Sequence, residues 1–452
     1  MNHTQSQRMH LLLNAPILSS LWILGAPNVT AIVILTSVTY ADAWFVGRLG
    51  TVPLASIAIA FPFQTLMMMM AGGAIGGGVT SAMARAFGSR DAAHAEAVLW
   101  HSMLIALAMS ALFIIVLGLF PRPVFAIIGA NEAVLDGAVR YATIAFGGAT
   151  TTWLFYIFAA ALRGIGDTAT PARAIIVSSI LQIAISGLLT LGWGAFEGFG
   201  VAGPAVAIVV CQGCAAVYLA KHLVNGSAGI RLRPQWPAWR PFADVMKVGG
   251  IGLINSLTVP ATVVVVTGIV AHFGTEAIAG YGLGSRLELM LVPIVFGLGG
   301  VLTAAVGANI GAGQHARARR MALAGSAIAA AVTGAIGLAV TFAPELWLGR
   351  FTADPKAFAV GQLYLGIAGP FFLIFGFGQT LYFASQGTGH MFWPVFVGVL
   401  RFVVASGIGM LALAWSMDLD AVFWGVSAGL ATVGIGLSLC LLGPSWRPAR
   451  AP

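Results

Sequence analysis

Charge is what this chain has least of. Of its 452 residues, 22 are Lys or Arg and 14 are Asp or Glu, 8% in all, about a third of what a soluble domain carries. Together with 59% hydrophobic residues and a mean hydropathy of +0.94, that scarcity excludes a water-soluble fold for most of the chain. Cysteine is scarce too, with three residues. Cys211 and Cys214 form a C-x-x-C without a second pair or a nearby His, which reads as two small apolar fillers rather than a metal or redox site. There is no phosphate-binding glycine loop, nucleophile elbow or zinc signature, which argues against an ATP-driven pump.

What is there is apolar length. Splitting the chain at its charges leaves uncharged runs at 9–41, 49–84, 97–121, 141–162, 174–196, 198–220, 248–275, 289–316, 321–344, 357–400 and 421–446. Each is long enough for the ~20 residues of a helix that crosses a bilayer. The run 357–400 is too long for one crossing, and "SQGTGH" (385–390) supplies a break, so the expectation is twelve spans. The runs do not alternate polar with apolar, which excludes a β-barrel. With the N-terminus inside, fifteen Lys or Arg fall on the cytoplasmic side, among them Arg85, Arg163 and Arg450, against five outside. This predicts cytoplasmic termini. The net charge of +8 thus reports topology, with no sign of a nucleic-acid partner. The first apolar run is too long, and lacks the cleavage pattern, for a removable signal peptide.

Shifting the chain by 223 residues lays "LRGIGDTATP" (162–171) on "SQGTGHMFWP" (385–394), Tyr141 on Tyr364 and Pro121 on Pro344. With one further residue of slip, "RLGTVPLASIA" (48–58) lies on "HFGTEAIAGYG" (272–282). The chain therefore reads as an all-α integral membrane protein of two six-helix lobes, 1–224 and 243–452, joined by a Pro-, Trp- and Arg-rich cytoplasmic linker, 225–242. Two such lobes either merely pack a bundle or enclose a cavity that opens alternately to either side.

The stretches "ADAWFVGRLGTVPLASIAIAFP" (41–62), "LRGIGDTATP" and "GTEAIAGYGLGSRLELMLVPIVFGLGGVLTAAVGANIGAG" (274–313) resemble the multidrug and toxic compound extrusion (MATE) family, and its DinF-like branch most. The resemblance implies two V-shaped lobes that export organic compounds in exchange for protons or sodium. The major facilitator superfamily, the other twelve-span family with two halves, is set aside because the loop after span 2 reads "ARAFGSRDAAHAEAV", without that family's signature.

Thirty-three uncharged residues separate Arg8 from Asp42, and a carboxylate at the end of such a run needs a function or a partner. Asp42 either caps the helix end, paired with Arg48, or lines a cavity. The resemblance favours the cavity, because the family carries an aspartate just before its "G-x-L-G" turn and Asp42 matches it. A carboxyl group out of water takes up a proton more readily, as coupling requires. Pro27 is expected to kink span 1, with Asn28 satisfying the carbonyl it frees. In the resembling branch a proline so placed is implicated in bending linked to the aspartate, and here a fixed kink and a moving one remain open.

Departures from that branch matter as well. Where it has Asn and Asp in span 5, this chain has Gln182 and Ser186, Ile208 replaces a span-6 threonine, and the glutamate of a NorM-like branch falls on Val259. The missing second acid disfavours a sodium site, since hard cations gather several oxygen ligands with carboxylate charge.

Tyr40, Gln182, Ser186, Asn255 and Ser256 are the polar side chains expected along a cavity. Arg286, Glu288 and Arg401 form a second charged set, with Glu288 paired to Arg286 or Arg401. Of the methionines in "TLMMMM" (65–70), one or two can face a cavity. The expected protein is a proton-coupled exporter of organic, mainly cationic and amphipathic compounds, and not an enzyme. It would need no cofactor or bound metal beyond the coupling ion, H+ or Na+, and act as a lipid-embedded monomer in a bacterial-type inner membrane. The alternatives are a sodium-coupled exporter, a dedicated metabolite exporter of the same fold, or a non-transporting scaffold or channel.

Overall fold

The structure, a computed structural model, describes residues 3–127, 131–227, 229–352 and 354–447. Eleven of its helices are long and apolar enough to cross a membrane, and twelve spans result when the bent pair Glu132–Gly147 and Ala149–Gly164 counts as one. Numbered in order, the spans are 1, Ile17–Gly47; 2, Thr51–Gly88; 3, Ala92–Leu119; 4, the bent pair; 5, Ala169–Leu191; and 6, Ala202–Val224. They continue with 7, Trp239–Ala271; 8, Thr275–Gly311; 9, His315–Phe342; 10, Pro355–Thr388; 11, Phe392–Ala414; and 12, Leu419–Cys440. Span 7 thus begins inside the stretch read as linker.

Two boundaries differ from the uncharged runs. The run 9–41 is not one helix: a separate helix, His3–Leu13, ends before Pro16, and span 1 starts at Ile17. Proline disfavours the helical conformation of the residue before it, so the chain breaks there. The run 141–162 holds a 47° bend at Gly148. A Cβ on Gly148 would meet Val209 of span 6 at 2.4 Å, so a glycine is needed where the neighbouring helix crosses. The corresponding place in the second half carries a turn of 3-10 helix, Gly369–Phe371. The turns after spans 4 and 10 also agree: Gly166 and Gly389 hold φ of +79° and +80°, a left-handed conformation that glycine adopts without strain.

Each half has its own buried core. One gathers Phe113, Phe125, Phe146 and Trp153, the other Tyr281, Tyr364, Phe372 and Phe423. A third cluster joins Leu12 of the first helix and Leu21 and Leu24 of span 1 to Leu298, Leu302, Phe383 and Leu437. Span 1 therefore belongs to both halves. Its beginning packs on span 8, where a Cβ on Gly297 would meet Val29 Cα at 2.8 Å, and its end on span 5, where a Cβ on Gly187 would meet Phe45 at 2.8 Å.

The halves meet closely at the end of the bundle where span 1 begins. A Cβ on Gly88 would meet Ala308 O at 2.0 Å, and one on Gly311 would meet Arg85 O at 2.1 Å. Such small-residue crossings let membrane helices approach backbone to backbone. Polar ties lie at the same end. His94 Nε2 is 2.7 Å from Asp244 Oδ2, Arg85 is 3.9 Å from Asp244, and Arg8 donates to Asp167 at 2.7 Å. The first helix is held by the second half as well, since Asn309 Nδ2 donates to Leu12 O at 2.9 Å. Arg450, counted with the cytoplasmic charges, lies outside the described residues.

Candidate functional site

Asp42 sits half-buried one and a half turns from the end of span 1 and accepts a hydrogen bond from Ser186 Oγ of span 5. Gln182, one turn earlier on the same face of span 5, is buried. Tyr141 and Cys211 lie near enough to feel the charge of Asp42. Pairing with Arg48 does not occur: that guanidinium lies 4.6 Å above the Trp44 ring. Tyr40 is two residues from Asp42, about 200° around a helix, and 56% exposed. The structure does not bring it to the carboxylate.

Pro27 lies within an unbroken helix, and Asn28 does not serve the carbonyl that the proline frees. Its Nδ2 instead donates to Gly297 O of span 8, at 2.5 Å. A bond across the halves at this point is available because Gly297 brings the two helices within backbone contact.

In the second half, Glu288 accepts from Tyr364 Oη at 2.8 Å and from Arg401 at 3.3 Å, and the Arg401 guanidinium lies 5.5 Å from the Phe375 ring. Arg286 is no part of this cluster. It is exposed, because two residues along span 8 turn it away from Glu288. Glu288 and Arg401 border a narrow cavity of about 40 Å³ that Met69 and Gly73 of span 2 and Asn255 and Ser256 of span 7 also line. Of the methionine run, Met69 reaches this cavity and Met67 lies in the core.

Three features here have little or no sequence signal. Span 2 passes into a π-helix over Met69–Ile75, and the Gly73 carbonyl accepts from Gln386 Nε2 of span 10 at 3.0 Å, so the irregular turn is bonded across the halves. Gln64 is 6% exposed, and among the described residues neither its Oε1 nor its Nε2 has a partner. Arg163, counted with the cytoplasmic charges, is only 8% exposed. It occupies the last turn of span 4, and its side chain runs towards Gly300 of span 8.

The model of the family described as MatE matches residues 27–188 and 253–411, one block in each half. The chain belongs to the MatE family. Among curated relatives, the "FAD transporter" of Shewanella oneidensis is 27% identical over 362 residues, 79% of each chain. The "Probable multidrug resistance protein YoeA" of Bacillus subtilis is 23% identical over 78% of each. A solved structure of the outward-facing conformation of a multidrug resistance MATE family transporter of the MOP superfamily aligns with a TM-score of 0.85 at 21% identity, over 96% of this chain and 97% of that one. This MatE member is an integral, multi-pass membrane protein with the twelve-span MATE fold, and the relatives it matches are transporters.

Proposed function

We propose that the protein is a secondary antiporter that exports organic compounds in exchange for protons, with Asp42 as the coupling carboxylate. The observation that carries this reading is the setting of Asp42. Among the described residues it has one hydrogen bond, from a neutral hydroxyl, and no ion pair. An unpaired carboxylate in a low-dielectric place is free to trade a cationic compound for a proton. Charged, it attracts the compound; protonated, it does not. Multidrug relatives support organic compounds as cargo, and family membership supports export. The count of Lys and Arg supports an inner-membrane placement with cytoplasmic termini.

Asp42→Asn is close in shape and permanently neutral. It should insert and fold, yet lose pH-driven efflux by about a hundredfold or more, because a ligand shifts a two-state equilibrium only through differential affinity. Proteoliposomes with an imposed pH gradient and a fluorescent cationic dye measure this. Accumulation by the variant at the wild-type rate would remove Asp42 from the mechanism. Export driven equally well by sodium at equal pH on both sides would replace the proton as coupling ion.

A dedicated metabolite exporter is the second reading, favoured by the FAD transporter relative. A transport screen over dyes, fluoroquinolones and flavin nucleotides separates the two.

A further inference from the structure

The Arg163 side chain has no hydrogen bond and no carboxylate partner among the described residues, although the residue is only 8% exposed. Its Cδ and Nε lie 4.0 Å from where a Cβ on Gly300 of span 8 would stand, and Asn28 Nδ2 lies 3.5 Å from the same point. The guanidinium stem therefore crosses from span 4 to the seam with the second half. Tyr156 lies about two turns earlier on the same face of span 4, and its ring sits against Gly72 of the π-helix. Gly300 is one turn along span 8 from Phe296, which walls the cavity shared by the halves and lies against Gly73. Arg163 is thus one helical turn below that cavity, towards the end where the halves close. Asn28 Oδ1 is buried there without a donor, so the polar groups around this spot are not satisfied by one another.

A buried cation without a counter-charge is among the costliest arrangements a membrane protein can hold. A guanidinium, always charged and presenting a planar fork of donors, matches carboxylate and phosphate oxygens. Arg401 has its carboxylate in Glu288, whereas Arg163 has none among the described residues. We propose that Arg163 is a binding site for an oxyanion, carboxylate or phosphate, at the bottom of the space between the halves. Resting on the export reading above, it gives the cargo a chemical class: compounds with an anionic group whose cationic or apolar remainder extends towards the cavity.

The test uses a rhodamine with a free carboxylate and its methyl ester, which share one dye skeleton. Binding to the purified full chain is followed by fluorescence anisotropy, and export is measured in proteoliposomes under a pH gradient. Wild type should bind the acid at least tenfold more tightly than the ester. Arg163→Gln should bring that ratio close to one, and Arg163→Lys, which keeps the charge, should restore part of it. No preference in wild type, or a preference unchanged in Arg163→Gln, overturns the site, and the wild-type comparison decides even if a variant fails to fold. Binding repeated with phosphatidylglycerol in place of phosphatidylcholine separates the sources of the oxyanion. If the anionic lipid abolishes the acid preference, a lipid phosphate occupies the site; if the preference persists, the exported compound does. An acid preference that depends on Arg163 without export of either dye would unseat the export reading and keep the site. Export of both dyes without preference would do the reverse.

Discussion

In the first lobe a carboxylate, Asp42, accepts one hydrogen bond from Ser186 and, among the described residues, has no cation against it; in the second, Glu288 is held by both Tyr364 and Arg401. The lobes share a framework. Ser56 meets Gly137 where Gly280 meets Val360, the large and small partners exchanged. Their charges, however, stand at different positions of it. At the offset of 224 residues that relates spans 2 and 8, Glu288 falls on Gln64, and at 223 Arg401 falls on Ser178, while Asp42 at 224 falls on Val266. The repeat has kept the helices and moved the ionisable chemistry. An unpaired acid suits exchange of a proton, whereas a carboxylate fixed by a cation and a phenol suits cohesion.

The largest expected effect tests that division. Glu288→Gln leaves Arg401 buried without a carboxylate and should cost about 3–5 kcal/mol of stability, read as a drop in melting temperature in detergent. Asp42→Asn strands no cation and should stay within about 1 kcal/mol of wild type. Replacing Glu288 and Arg401 together by leucines should recover most of the loss, because the cost lies in the broken pair. Recovered stability without export would give the pair a part in transport, and would erase the contrast between the lobes.

Gln64 sharpens the comparison at an intermediate scale. With both amide atoms buried and unpartnered in the first lobe, Gln64→Leu should stabilise the protein by about 1–2 kcal/mol. Should thermal stability fall instead, the amide is serving water or cargo, and the counterpart of Glu288 has kept a polar task.

The pattern of uncharged runs was enough to reveal twelve spans, and the offset repeats revealed two halves, because lipid demands apolar length and duplication leaves turns such as Gly166 and Gly389 in register. Ser186 was legible as the residue standing where the resembling branch carries its span-5 aspartate. The choice of Arg401 over Arg286 was not, since pairing across 113 residues depends on helix rotation rather than spacing. The burial of Arg163 was not legible, because a cation at a helix end beside Gly164 reads as solvated and only the packing of span 8 shows where its side chain runs. The π-helix left no sign beyond its glycines.

The smallest expected effect on transport concerns the two hydroxyl donors. Ser186 donates to Asp42 and Tyr364 to Glu288, and a donor favours the ionised carboxylate. Ser186→Ala removes that support from the group proposed to exchange the proton. Asp42 should then take up its proton at higher pH, and the midpoint of efflux against pH should move upward by less than about one unit. The best rate should stay within about twofold, since the carboxylate remains. Tyr364→Phe removes the same kind of bond from a carboxylate still held by Arg401. It should leave the midpoint in place and cost about 1.5–3 kcal/mol of stability instead. Efflux profiles of the two variants, measured side by side in proteoliposomes, decide which carboxylate couples. A midpoint that moves in Tyr364→Phe and stays fixed in Ser186→Ala would assign coupling to Glu288, leaving Asp42 as the structural partner.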